Sequence, residues 1–233
     1  MMKKSLSLLT ASGAAVGLAA SAAAQAEELG AGWSLSSNVA ITSNYVFRGI
    51  SESGEDPAVQ GGFDLGHESG AYVGTWASSL RYDAPADSQP AVELDAYGGY
   101  EFTLAKGFWA DVGATYYGYP NATDLNTTEL YAGVGTSLGD VEGDLYIHGS
   151  DDYFGSDEGS IYTETNWTVP FAAGLYGSAH AGYLSHDSET DLDASLGVGV
   201  AYGSLDVSLV GSYYDPDSGE EDEQVAVTVA RSF

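Results

Sequence analysis

The chain has 233 residues, no cysteine, 31 glycines and 17 tyrosines, and its 34 acidic against 6 basic side chains give a formal net charge of −28. Without cysteine there is no disulfide framework, so stability must come from burial and backbone pairing. A negative surplus of this size disfavours nucleic acid and other polyanions as partners through long-range repulsion.

The chain opens on a short basic segment, Met1-Met2-Lys3-Lys4, followed over about residues 6–20 by an apolar stretch of Leu, Ala, Gly and Val. Ala24-Gln25-Ala26 then offers a small-x-small cleavage site. That order of features is a secretory signal peptide over 1–26, removed to leave 27–233 as the mature protein. The apolar stretch is too short and too weakly apolar to be read as a membrane-spanning helix. Loss of Lys3 and Lys4 takes the net charge from −28 to −30 and leaves Arg48, Arg81, Lys106 and Arg231 as the cations.

Period-2 alternation bounded by Gly, Pro, Asp and Ser clusters predicts strands over 33–50, 58–67, 71–80, 91–103, 107–118, 127–138, 141–150, 161–169, 174–185, 191–202, 204–214 and 224–233. The connections alternate in length. Those at 67–70, 104–107, 139–140, 170–174 and 203–204 are short, whereas 51–57, 81–90, 119–126, 151–160, 186–190 and 215–223 are longer and polar. A soluble sandwich has no reason to sort its turns by parity. An up-and-down antiparallel transmembrane β-barrel of about twelve strands does, with short turns and both termini on the periplasmic side. Only closed barrels and helices satisfy every backbone group in lipid, and no later segment reads as a helix long enough to span.

Alternation also assigns the faces. In the segment 191–202, Leu192, Ala194, Leu196, Val198, Val200 and Tyr202 point one way, and Asp193, Ser195, Gly197, Gly199 and Ala201 the other. Charges facing lipid are costly, so the polar set faces the lumen. Carried around the barrel, this places Asp64, Glu93, Asp95, Asp111, Glu129, Glu142, Asp144, Glu164, Asp193 and Asp206 inside, with Arg48 as the main basic counterweight. Tyr97, Tyr131, Tyr146, His148, Tyr162, Asn166, Tyr176, His180 and Tyr214 share that space. Outward aromatics form two girdles: Trp33, Tyr100, Phe102, Phe108, Trp167, Tyr202 and Phe233 at the periplasmic ends, Tyr45, Phe47, Tyr116, Tyr183 and Tyr213 at the outer ends.

The last strand carries Val225, Val227, Val229 and Phe233 on one face and stops on an aromatic. A terminal strand of this kind resembles the signal that barrel assembly machinery reads, although Arg231 stands where an apolar residue is commoner. By itself the strand also fits the edge of a soluble sandwich.

Residues 37–78 carry a more specific likeness. Ser43-Asn44-Tyr45-Val46-Phe47-Arg48-Gly49-Ile50-Ser51, Pro57-Ala58-Val59-Gln60-Gly61-Gly62-Phe63-Asp64 and Gly70-Ala71-Tyr72-Val73-Gly74-Thr75-Trp76-Ala77-Ser78 resemble the TorF-type porin family of proteobacterial outer-membrane proteins. The resemblance implies an outer-membrane barrel and transfers neither a substrate nor a catalytic site.

Chemistry is sparse. His148-Gly149-Ser150-Asp151 brings hydrolase residue types together, but His148 and Ser150 share a face simply by alternation. No metal-ligand spacing and no phosphate loop is present, and no cofactor is implied. Loop acids at Asp151-Asp152, Asp157-Glu158 and 215–223 could collect divalent cations or bridge to lipopolysaccharide. The sequence therefore points to an outer-membrane porin for small polar solutes, preferring cations. Its alternative is a plugged barrel with a structural or surface-interaction role.

Overall fold

The computed structural model describes residues 26–81 and 90–233; the signal peptide read over 1–26, its last residue apart, and residues 82–89 of the connection 81–90 lie outside the described residues. Among the described residues fifteen strands run in chain order: β1 (Glu27–Gly30), β2 (Trp33–Thr42), β3 (Val46–Phe47), β4 (Ile50–Ser51), β5 (Ala58–His67), β6 (Ala71–Ser79), β7 (Val92–Ala105), β8 (Phe108–Gly118), β9 (Thr127–Leu138), β10 (Val141–Ser150), β11 (Ser160–Pro170), β12 (Leu175–His186), β13 (Glu189–Tyr202), β14 (Leu205–Pro216) and β15 (Asp222–Ser232). From β5 to β15 each strand pairs antiparallel with its chain neighbour, and β2 pairs with both β5 and β15. The result is a closed twelve-strand barrel built of β2 and β5 to β15, with the start of β2 and the C-terminus at one end, the terminus end. No helix of the described residues is long and apolar enough to cross a membrane.

Closure is staggered. β5 covers all of β2 from Trp33 to Thr42, but β15 reaches only Asn38 to Thr42, with Phe233 exchanging backbone hydrogen bonds with Ser37. Stagger is inherent in closing tilted strands. The remaining edge at Trp33–Leu35 is taken by β1, which folds back through a tight turn at Ala31-Gly32. This short strand was not expected from alternation. It covers backbone groups that would otherwise form an open edge.

The outer face is apolar on every barrel strand, from Val39 and Ile41 on β2 through Leu130 and Val134 on β9 to Leu196, 73% exposed, on β13. Exposed apolar surface that is continuous around the molecule has no counterpart in soluble monomers. Trp33, Tyr100, Phe102, Phe108, Trp167, Tyr202 and Phe233 are exposed at the terminus end, and Tyr116 and Tyr183 at the loop end.

Three expectations change. The first predicted strand, 33–50, ends at Thr42, where Thr42 Oγ1 donates to the Asn44 carbonyl (2.8 Å) and Asn44 Nδ2 donates to Gln224 (2.6 Å). Beyond it, β3 and β4 form a small hairpin that turns into the barrel. Tyr45 and Phe47 consequently leave the outer girdle: both are buried, packed with Ala58, Leu80, Tyr117 and Tyr119 inside the mouth. Finally, the connection expected to be long at 186–190 is a two-residue turn, Asp187-Ser188, both with positive φ as tight hairpin turns require.

Candidate functional site: the barrel interior and its mouth

Small residues on the inner face make room for rings from neighbouring strands. A Cβ at Gly74 would come within 2.3 Å of the Tyr97 ring, and at Gly199 within 2.2 Å of Tyr176. The inward phenols are therefore laid across glycines, and their hydroxyls reach carboxylates. Tyr97 donates to Asp64. Tyr72 and Tyr146 converge on Asp111 (2.8 and 3.3 Å), and Tyr176 donates to Asp206 (2.9 Å). Tyr162 donates to Asp193 (3.0 Å), Tyr45 and Tyr119 to Glu93 (2.9 and 3.1 Å), and Asn166 Nδ2 to Asp144 (3.0 Å). A phenol compensates part of the desolvation of a carboxylate without cancelling its charge.

Across five adjacent strands, acids and imidazoles alternate. His148 Nδ1 lies 3.8 Å from Glu129 and its Nε2 2.9 Å from Glu164; His180 Nδ1 lies 3.6 Å from Glu164 and its Nε2 2.6 Å from Asp193. His148 is thus engaged by acids, while Ser150 Oγ pairs with Ser160 Oγ (3.2 Å), so the His148–Ser150 combination is not joined as nucleophile and base.

The inserted hairpin supplies the cation. Arg48 and Gly49 form its tip with φ of 48° and 84°, the left-handed pair of a two-residue turn. Arg48 Nη2 donates to Glu129 (2.8 Å), with the two side chains 2% and 0% exposed. Its guanidinium also lies over the rings of Tyr162 (4.1 Å), Phe47 (4.8 Å) and Tyr153 (5.8 Å). A Cβ on Gly49 would meet Tyr214 and Asp193 at 2.8 and 3.0 Å, so the tip abuts β13 and β14. From its root beside β2 and β5 the hairpin therefore crosses the interior. Arg48 stands inside, on this hairpin and not on the wall.

Asp64, Glu93, Asp95, Asp111, Glu129, Glu164, Asp193 and Asp206 are all buried in the interior. Asp144 is half-buried, and Glu142, on the same face of β10, is exposed at the terminus end. Of the other cations, Arg81 pairs with Asp56 in an exposed loop, and Lys106 and Arg231 are exposed. Among the described residues no three acidic or imidazole groups converge as metal ligands. Sequence reasoning missed Tyr72, Tyr117, Glu52, Asp191 and the crossing hairpin. Asp191 shares the parity of Asp193, and Arg48-Gly49 between Val46-Phe47 and Ile50 is itself a tight-hairpin signature.

Between the hairpin and the loop ends lies a cavity of about 440 Å³, bordered by Phe47, Arg48, Ile50 and Glu52 below and by Tyr119, Tyr153, Phe154, His186, Asp191 and Tyr214 around it.

The model of a bacterial family described as "of unknown function", Gcw_chp, matches residues 26–233. The chain belongs to the Gcw_chp family. No curated protein matches the sequence. Among solved structures, the barrel is similar to the KdgM porin at 9% identity and a TM-score of 0.61, covering 85% of this chain and 99% of that one. It is similar to the NanC porin at 9% identity and a TM-score of 0.59, covering 85% and 98%. The COG4313 outer membrane channel from Pseudomonas putida F1 matches at 15% identity and a TM-score of 0.52, covering 89% and 97%. At these identities the likeness is one of fold, a porin-type barrel.

Proposed function

We propose that this Gcw_chp chain is an outer-membrane porin that admits small polar solutes and prefers cations, exported by a signal peptide over 1–26 that is cleaved before Glu27. The TorF-type likeness of residues 37–78 supports the same reading. One observation carries it: the barrel is apolar outside and polar inside, and among the described residues its interior carries nine buried carboxylates from the wall against the single guanidinium of Arg48. In a narrow lumen such an imbalance is incompletely screened, so cations are concentrated and small anions excluded. KdgM has been solved in complex with oligogalacturonate. A chain of carboxylated sugars would meet repulsion along this inner wall, which favours a different cargo. In this reading the loop end faces the cell exterior, lipid and lipopolysaccharide surround the barrel, and the Val225, Val227, Val229 and Phe233 face is read by the assembly machinery.

Reversal potentials across planar bilayers under a salt gradient test the preference. The expected result is cation selectivity that weakens as salt rises, since the screening length falls from ~10 Å at 0.1 M to ~3 Å at 1 M. Replacing Glu93, Asp95 and Asp144 together by their amides reduces it, whereas the same change at exposed Glu220 and Glu221 does less. Anion preference overturns the reading. The crossing hairpin favours a second reading, a barrel closed by residues 43–57 with a structural or surface-interaction role, and absence of conductance even after the hairpin is removed selects it.

A further inference from the structure

The cavity at the mouth sets aromatic rings and carboxyl groups side by side. Tyr153 and Phe154 on one loop and Tyr214 on β14 give it aromatic walls, while Glu52 on the hairpin and Asp191 and Asp193 on β13 give it carboxyl groups from two separate elements. Its basic side chains face acids and rings: Arg48 is bonded through Nη2 to Glu129 at 2.8 Å, with Nε and Nη1 unbonded where the guanidinium lies over Phe47 and Tyr162, and His186 is bonded to Asp191 at 2.9 Å.

Glu52 stands out among these acids. Asp193 takes a phenol and an imidazole, and Asp191 takes His186 and Tyr214. The Glu52 carboxyl accepts no side-chain hydrogen bond from any described residue, although it belongs to the loop folded into the mouth. Burial, and secondarily the charge of Glu93, push that carboxyl up to about 8. A buried carboxyl in this position gains from a positive charge brought alongside it. A bare metal ion would need several oxygens converging at short range, an arrangement lacking among the described residues. A cation with an organic body uses both kinds of surface, since aromatic faces attract ammonium groups and cover apolar carbon. About 440 Å³ lies within the usual size of small-molecule sites.

We propose that the mouth cavity binds a small organic cation, an ammonium with an apolar or aromatic body, whose charge lies against Glu52 and whose body lies against the surrounding rings. The site rests on the porin reading only for its orientation towards the cell exterior. Binding itself does not require ion flow.

Isothermal titration calorimetry on the full barrel in detergent tests this with 2-phenylethylammonium, and with 2-phenylethanol and phenylacetate as neutral and anionic probes of similar shape. The ammonium is expected to bind at least about tenfold more tightly than the alcohol, the size of one contact to a desolvated charge. Its affinity should fall as pH drops through about 8, because protonation removes the Glu52 charge that the ligand uses. Glu52→Gln should lose both the preference and that pH dependence, whereas Asp217→Asn, in an exposed loop, should keep them. Equal binding of ammonium and alcohol, no binding, or pH-independent binding by the unmodified protein overturns the proposal without reference to any variant. Calorimetry reads no current, so anion selectivity in bilayers would refute the porin reading and leave this site standing, and the reverse holds too.

Discussion

Replacing Arg48 with alanine removes the anchor of the hairpin that crosses the barrel. The guanidinium sits 2.8 Å from Glu129 with both side chains essentially inaccessible, and stacks over Tyr162 at 4.1 Å. Removing one partner of a buried ion pair costs ~3–5 kcal/mol, because the other charge is left uncompensated, and a desolvated cation–π contact adds up to ~2 kcal/mol. The lumen admits water once the hairpin moves, so the lower part of that range applies. About 3 kcal/mol shifts the balance between a seated and a displaced hairpin by on the order of a hundredfold. The barrel wall is untouched, since Arg48 pairs with no wall strand through its backbone. Single-channel recording of Arg48→Ala should therefore show a larger or more often open conductance, while heat-modifiable migration, the mark of an intact barrel, is retained. Adding Glu129→Gln removes the stranded buried charge and should bring part of the closed population back. Unchanged conductance in Arg48→Ala, together with unchanged protease resistance of residues 43–57, would refute the claim that this pair holds the hairpin.

An epitope inserted at Gly219 should be accessible to protease on intact cells, and one at Gly203 should not; exposure of both, or recovery of the protein in the soluble periplasm, contradicts the topology. Val227→Asp places an acid on the exposed apolar face of β15, where a charge facing lipid costs up to ~2–4 kcal/mol for a basic residue and less for an acid. That change, or deletion of Phe233, should lower the amount of folded barrel recovered in outer-membrane fractions, and normal recovery of both would show that the closing strand carries no assembly information.

The architecture was legible because a barrel wall is a local affair. Period-2 alternation fixes which side chains point outward, and neighbours in the sequence are neighbours in the sheet, so Leu192 to Tyr202 could be assigned faces without knowing where any other strand lay. The same parity runs through Asp64, Glu93, Asp95 and Asp111, which are buried, and through Val225, Val227 and Val229, which are exposed, while Glu142, placed inside by parity, is exposed at the terminus end of β10. Local reasoning failed where the chain leaves the wall. Tyr45 and Phe47 keep the alternation of the strand before them, yet a side-chain network around Asn44 ends that strand at Thr42 and turns them inward. What the hairpin then meets depends on residues far along the chain: Glu93, Glu129, Tyr162 and Asp193 all come from other strands. The same holds for the partners inside. Sequence determined that Tyr97, Tyr146 and Tyr176 face the lumen, but only the closed barrel, with its stagger and its glycines, decided that their hydroxyls reach Asp64, Asp111 and Asp206. Facing is a property of one strand and its period. Contact across a lumen is set by the curvature and register of all twelve strands together, and no single segment encodes either.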